Sequence, residues 1–343
     1  VGDKGEVVYG IGAIKGVGTN AIDEIINARE KDGKYKDLLD FCKRMDLRKV
    51  NRRVLEALIR GGAMDSLGHT RATLIEQLAA CISAADQEHK NAAAGMMDMF
   101  GGFEEADDTP PALDLPVVPE WPEAERLKQE KVSLGLYLTG HPINAHRKEL
   151  DQFTAGTLKK LLEATDTKGA GRRDTMIAGL LIDVRIRNGT RATLMLDDNT
   201  GRMEVNLFTE AFEKFKDFLK VDSVLVMKGT LRYSDFLGAN GFSAQDVMDV
   251  GAARKRFARR VLMQYDPIES PAAKELNGQW VPNLRGQLEP YLDAEGCPVF
   301  VDYKNQNAKA RFELGREWKV RPDQELVEEL KLVLGKKAVR VEY

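Results

Sequence analysis

The sequence predicts a multidomain α+β chain, and three observations predict it. Apolar residues recur at helical spacing through residues 1 to 90. From Thr175 the spacing changes to the two-residue alternation of strands. Between these regions, Glu104 to Glu125 holds eight acidic residues, five prolines and no basic residue. A length of 343 residues has room for two to four modules. A hydrophobic fraction of 43% beside a charged fraction of 31% is the balance of a soluble globular protein with real cores.

In the first region Ile22, Ile25 and Ile26, then Val54, Leu55, Leu58 and Ile59, mark short helices. Glycines interrupt them at 16–18, 33 and 61–62, and a longer helix is expected from about Arg71 to Lys90. Residues 91–125 read as a separate segment, of which Glu104 to Glu125 is a linker: that stretch lacks apolar surface, repels itself, and its prolines cannot continue a helix. Residues 126–170 read as a helical connector centred on Leu134–Ile143.

Strands are expected at Met176–Arg187, Arg191–Leu196 and Met203–Phe208, with Asn188-Gly189 as the hairpin signal between the first two. A helix at Glu210–Leu219 and strands at Ser223–Tyr233 and Phe242–Val247 follow. Three strands, a helix and two strands is the order of an OB barrel, which bounds a domain at 171–250. Residues 255–343 read as a small α+β domain: a hairpin of Val299–Tyr303 with Ala310–Leu314, an amphipathic helix at Gln324–Leu334, and a last strand at Ala338–Tyr343.

The composition excludes several classes. No apolar run approaches the length of a membrane span, so no membrane partner is expected. The N-terminus reads Val1-Gly2-Asp3-Lys4, with neither initiator Met nor apolar leader, and the sequence is expected to continue upstream. Cys42, Cys81 and Cys297 are spaced for neither a disulfide framework nor a zinc knuckle, which points to a reducing cytoplasm. A net charge of −3 gives no global basic field, so any nucleic-acid contact must be local.

Three local signals stand out. Lys15, Gly16, Val17, Gly18, Thr19 and Asn20 sit in an h-x-G-h-G-x-x-A-h pattern, that of a helix-hairpin-helix. Its two glycines are expected to supply backbone freedom for a tight turn, and the helix that follows aims free amides at a phosphate. Such a contact reads the DNA backbone rather than the bases. The alternative is a glycine turn between helices with no ligand.

Second, Arg185, Arg187 and Arg191 flank the barrel's first hairpin, Arg172 and Arg173 precede it, and Tyr233 and Phe236 lie near the end of its fourth strand. Single strands bind such barrels through cations and stacked aromatics. Residues 171 to 260 carry sixteen Lys and Arg against twelve Asp and Glu, a net of only +4. A barrel used purely for protein contacts remains open. Phe208 and Phe212 are expected in its core.

Third, Met96, Met97, Asp98, Met99 and Phe100 present an apolar pair beside the acidic stretch. A peptide that docks in a groove looks like this, but a helix end packed on its own domain fits these residues better when they are taken alone. Asp197-Asp198 reads as a solvated turn rather than a metal site. His141 and His146 have no third ligand nearby. No Walker A, G-x-S-x-G or HExxH sequence is present, and no carboxylate set of a polymerase.

Gly10–Gly18, Val50–Ala63, Leu134–Ile143 and Leu196–Val205, in that order, resemble the bacterial DNA polymerase III alpha subunit, a replicative family. The resemblance covers essentially the whole chain and weakens after about residue 255. It implies the end of the fingers and the helix-hairpin-helix region at 1–90, a sliding-clamp-binding segment within 91–125, the OB domain, and a C-terminal domain that contacts the tau subunit of the clamp loader. Duplex and single-stranded DNA, the beta clamp and tau are the implied partners, within a cytoplasmic, nucleoid-associated replisome.

The family's catalytic palm, with its magnesium, would lie upstream. The chain is therefore expected to hold no cofactor and to be inactive as a nucleotidyltransferase by itself. The family's clamp motif opens with Gln and ends in an apolar pair. It aligns to Met96–Phe100, with Met96 in place of the Gln. The competing reading is a repair or single-strand-binding accessory protein built from the same two modules.

Overall fold

Ile14, Val17, Ala21 and Ile25 lead into the first core, which the helical spacing of the opening region builds as expected. A computed structural model describes residues 9–93, 115–164, 172–234, 239–268, 280–335 and 337–343. The chain divides into two compact units, Val1–His141 and Pro142–Tyr343.

In the first unit α1 (Thr19–Asp32), α2 (Leu38–Arg44), α3 (Arg52–Arg60), α4 (Arg71–Ala93) and α5 (Glu123–Leu134) follow a short 3-10 turn at Ile11–Ala13. Asp37 caps α2 by accepting from the Asp40 amide at 2.7 Å, and Asn51 caps α3 through the amides of Arg53 and Val54. The buried face of α3 is Val54, Leu55, Leu58 and Ile59, the four residues its spacing predicts.

The acidic stretch is not wholly a linker. Its residues 115–122 dock on the start of α4. Leu115 packs against the core, the Pro116 carbonyl accepts from Gln77, and Val118 exchanges hydrogen bonds with Thr73. The Glu120 carboxylate accepts from the amides of Arg71 and Ala72, while Thr70 takes that of Thr73. The charge expected to repel its own segment instead satisfies a helix N-terminus.

Arg71 then turns back into the unit with only 4% of its side chain exposed. It holds Asp65 through two nitrogens and reaches Glu130 at 2.9 Å. Glu130 is fully buried and also accepts from the Leu138 amide and from the amide and hydroxyl of Thr139.

The second unit opens with α6 (Arg147–Leu150) and α7 (Leu158–Glu163). A closed barrel follows: β1 (Arg173–Arg187), β2 (Arg191–Asp197), β3 (Arg202–Leu207), α8 (Thr209–Phe215), β4 (Val224–Ser234) and β5 (Ala239–Asp249). Its strand order is β1-β2-β3-β5-β4, closed by a parallel β3–β5 pair, the OB arrangement expected. β1 serves two neighbours: Arg173 to Leu180 pair with β4, and Leu180 to Arg187 pair with β2 across an irregularity at Leu181/Asp183. Alternate residues such as Leu194, Leu196, Met203, Val205 and Leu207 fill the interior, closed by Leu158 and Leu161 of α7 and by Phe212 and Phe215 of α8. Each such side chain, once buried, contributes about 1.5–3 kcal/mol.

After α9 (Val250–Phe257) come β6 (Arg260–Tyr265), α10 (Trp280–Leu288), β7 (Leu292–Cys297), β8 (Val299–Lys304), β9 (Lys309–Glu313), α11 (Gln324–Leu334) and β10 (Val339–Glu342). The sheet order is β10-β6-β8-β9, with α11 burying Leu326, Leu330 and Leu334 against it. This is the small α+β domain the sequence predicts. β6 and α10 carry weaker sequence signals: β6 is six residues long, and α10 contains Pro282 and Gly286. Arg254 of α9, 5% exposed, ties α6 and α9 to this domain by pairing with Glu149 at 2.6 Å and with Gln324. Tyr343 donates to the same Glu149.

Cys42, Cys81 and Cys297 are free and buried. Burial pushes the Cys42 thiol up to about 12 and those of Cys81 and Cys297 to about 11.

Candidate nucleic-acid interface

The hairpin at residues 14–20 is anchored from below. Ile14 and Val17 are buried, the Val17 amide donates to the Ile14 carbonyl at 3.1 Å, and the Lys15 amide donates to Ser133 of α5 at 2.8 Å. Val17 therefore positions the turn and offers neither side chain nor amide to a ligand.

The turn needs one glycine for conformation, not two. Gly16 has φ +88°, which L side chains avoid, while Gly18 has φ −83° and ψ 163°, open to any residue. A Cβ at either position would meet nothing within 4 Å. Neither strain nor packing asks for glycine at 18, so what its missing side chain leaves is open approach to the start of α1.

That start is bare. Gly18 is the N-cap of α1 without a side-chain cap, and the first turn carries no acidic residue. The amides of Gly16, Gly18, Thr19 and Asn20 have no acceptor among the described residues. Unsatisfied amides at a helix N-terminus attract an anion. Lys15 is exposed, with its amine beside the C-terminal end of α5, where a Cβ on Gly135 would lie 3.4 Å from Nζ.

In the barrel, Asn188 (φ 52°) and Gly189 (φ 67°) form the tight connection between β1 and β2, giving the hairpin expected there. The register sets Arg187 opposite Arg191 and Arg185 opposite Thr193. The three arginines thus share the outer face of one ribbon. They are not equivalent: Arg185 is paired with Asp183 at 2.7 Å, while Arg191 lies over the Phe208 ring at 5.7 Å. Tyr233 sits elsewhere, opposite Asn240 in the β4–β5 pair. Phe236 and Met96–Phe100 lie outside the described residues.

Two side chains differ from expectation. Phe212 is buried, but Phe208 is 53% exposed. Met203, Val205 and Leu207 point inward, so Phe208 falls on the outer phase with Asn206, a signal the alternation already contained.

Asp198 is not a solvated turn residue, being 1% exposed. It accepts from the Thr200 hydroxyl at 2.6 Å, from the amides of Leu158, Thr200 and Gly201, and from Arg147. Burial opposes its charge, yet these hydrogen bonds outweigh burial and hold its carboxyl below the usual range. Asp198 fastens α7 to the barrel. Among the described residues no three His, Cys, Asp or Glu lie close enough to hold a metal ion, and no helix is long and apolar enough to cross a membrane.

A bare helix-hairpin-helix turn followed by an OB barrel defines a modular protein of the nucleic-acid-binding class. Family models agree with the domains: helix-hairpin-helix motif over residues 1–74, OB-fold nucleic acid binding domain over 176–243, and DNA polymerase III subunit alpha, C-terminal domain, over 283–335. The chain is 43% identical over 351 residues to DNA polymerase III subunit alpha of Vibrio cholerae. It is 39% identical over 347 residues to that of Escherichia coli K12. All of the chain is matched in both cases, and it spans 29% of each relative's length. Over its whole length the chain therefore resembles a segment of DNA polymerase III alpha subunits. A solved replication protein A heterotrimer bound to single-stranded DNA aligns with 22% of this chain and 57% of its own at 21% identity and a TM-score of 0.19, too slight a likeness to add weight.

Proposed function

We propose that this chain is the part of a replicative DNA polymerase that holds DNA and partner proteins. The hairpin takes a phosphate of duplex or primed DNA on the amides of Gly16, Gly18, Thr19 and Asn20, with Lys15 and the Thr19 hydroxyl at its edge. The barrel takes the single strand through Arg185, Arg187 and Arg191, with Tyr233 toward the β4–β5 end. The observation that carries this reading is the group of four amides without acceptors at an uncapped helix start. The full-length match to alpha subunits favours a polymerase parent over a free-standing accessory protein.

A grip on phosphates carries no sequence preference and weakens with salt, because binding releases counterions. Fluorescence anisotropy of the chain with primed DNA across a salt series tests this. The expected log–log slope is negative, about −0.9 for each phosphate neutralised. A salt-insensitive or strongly sequence-selective interaction overturns the reading.

Two partner contacts belong to the same proposal. Met96–Phe100 tethers the chain to the beta sliding clamp, and residues 255–343 contact tau. The family resemblance supports both. Met99 and Phe100 supply most of the clamp energy as apolar anchors. Met96 forgoes the amide hydrogen bonds of the family's Gln, so Met96→Gln tightens binding by roughly 1 kcal/mol. Calorimetry against the clamp checks both points. A Met99→Ala, Phe100→Ala variant that binds as well as the parent would move the tether elsewhere.

A further inference from the structure

We infer that the barrel carries a second single-strand subsite beyond the β1–β2 ribbon. In this groove of about 530 Å³, Phe208 stacks a base and Arg172, Lys214 and Arg232 hold the backbone. The inference rests on the single-strand reading above and extends it to a different part of the barrel surface.

Charge is the first support. Elsewhere in the barrel Arg185 is paired with Asp183, Arg202 with Asp197, and Asp246 with Arg256. Arg172, Lys214 and Arg232 have no ion-pair partner among the described residues, yet all three line one groove. Glu210 is the one carboxylate lining it among those residues, which leaves an excess of positive charge. Cations that outnumber the carboxylates beside them repel one another, and a polyanion relieves that repulsion.

The aromatic is the second support. Phe208, 53% exposed, lines the groove with the Arg191 guanidinium over its ring. An exposed ring beside a cation offers a base a stacking face without sequence preference.

Continuity is the third. The register aligns Thr193 with Asn206, Asn206 with Ser243, and Ser243 with Thr230 across β2, β3, β5 and β4. The outer face therefore has a floor of short polar side chains leading from the ribbon into the groove. Three strand spacings of about 4.8 Å add about 14 Å to the path. A short oligonucleotide fits the ribbon alone, and a longer one reaches the groove.

The test compares oligothymidines of about 6 and about 16 nucleotides, the latter at the upper end of a single barrel's footprint. Anisotropy is measured with the whole chain and with Phe208→Ala and Lys214→Glu/Arg232→Glu. The altered side chains are solvent-facing, and an unchanged melting temperature verifies the fold. The longer oligonucleotide is expected to bind about five-fold or more weakly to both variants, the shorter one within two-fold of the parent, and Phe208→Trp to restore binding.

Equal losses at both lengths, or no loss at either while Arg185→Ala/Arg187→Ala/Arg191→Ala weakens both, would overturn the subsite and leave the ribbon as the site. In the second case the groove is a surface for protein. A parent chain that binds neither oligonucleotide overturns the single-strand reading itself.

Discussion

The hairpin at 14–20 and the β1–β2 ribbon both present positive groups to solvent, but they do so with different atoms. The hairpin offers main-chain amides fixed by a left-handed Gly16 and by the Lys15–Ser133 bond, with Ile14 and Val17 buried beneath them and Lys15 as its one exposed cation. The ribbon offers side chains on a regular ladder whose own backbone groups are already paired. A backbone site is created by geometry and destroyed by changes in geometry or access. A side-chain site survives such changes and falls to truncation. The same logic separates the arginines. Arg71 and Arg254, buried against carboxylates, hold the fold, whereas Arg172, Arg191 and Arg232, without carboxylate partners among the described residues, are available to a ligand.

The largest expected effect comes from breaking the scaffold beneath the hairpin alone. Glu130 lies on α5, the helix whose Ser133 carbonyl holds Lys15. Glu130→Ala leaves Arg71 buried with one carboxylate fewer, a change that costs about 3–5 kcal/mol. Calorimetry should show the first unit unfolding at lower temperature and the second unchanged. Primed-DNA binding should drop and single-strand binding persist.

The same carboxylate sets the sign of the acid response. Burial opposes its charge, but the amides of Thr139 and Leu138, the Thr139 hydroxyl and Arg71 together hold it below the usual range. A lowered folded value contributes stability above the unfolded value of about 4.3, and that stability is lost as pH falls through the folded one. The first unit's melting temperature should therefore decline below about pH 4, and the decline should be shallower in Glu130→Ala.

Much of the architecture was legible because it follows from periodicity. The alternation through β2 and β3, the Asn188-Gly189 turn and the amphipathic face of α11 are local patterns, and each appears where its residues indicate. Periodicity could not show which distant partner satisfies a polar group. Glu120 caps a helix 49 residues upstream, and Asp198 fastens Leu158 40 residues before it. Both read as solvated acids until the chain is folded. Gly18 is hidden from the sequence for a related reason. A glycine in a motif suggests an unusual φ, whereas this one has an ordinary φ with open space beside it.

The most direct test of a backbone grip in one unit and a side-chain grip in the other is a pair of variants on two substrates. In Gly18→Ser, serine suits an N-cap, so stability should hold or rise slightly. Its hydroxyl, however, takes up the free amides and its bulk closes the approach. In Arg185→Ala/Arg187→Ala/Arg191→Ala the ladder is untouched. Anisotropy should show Gly18→Ser losing primed duplex but keeping single strand. The triple variant should keep primed duplex while single-strand binding weakens by on the order of 1 kcal/mol or more. If either variant weakens both substrates alike with its fold intact, the two units do not grip DNA by separate means, and the account is wrong.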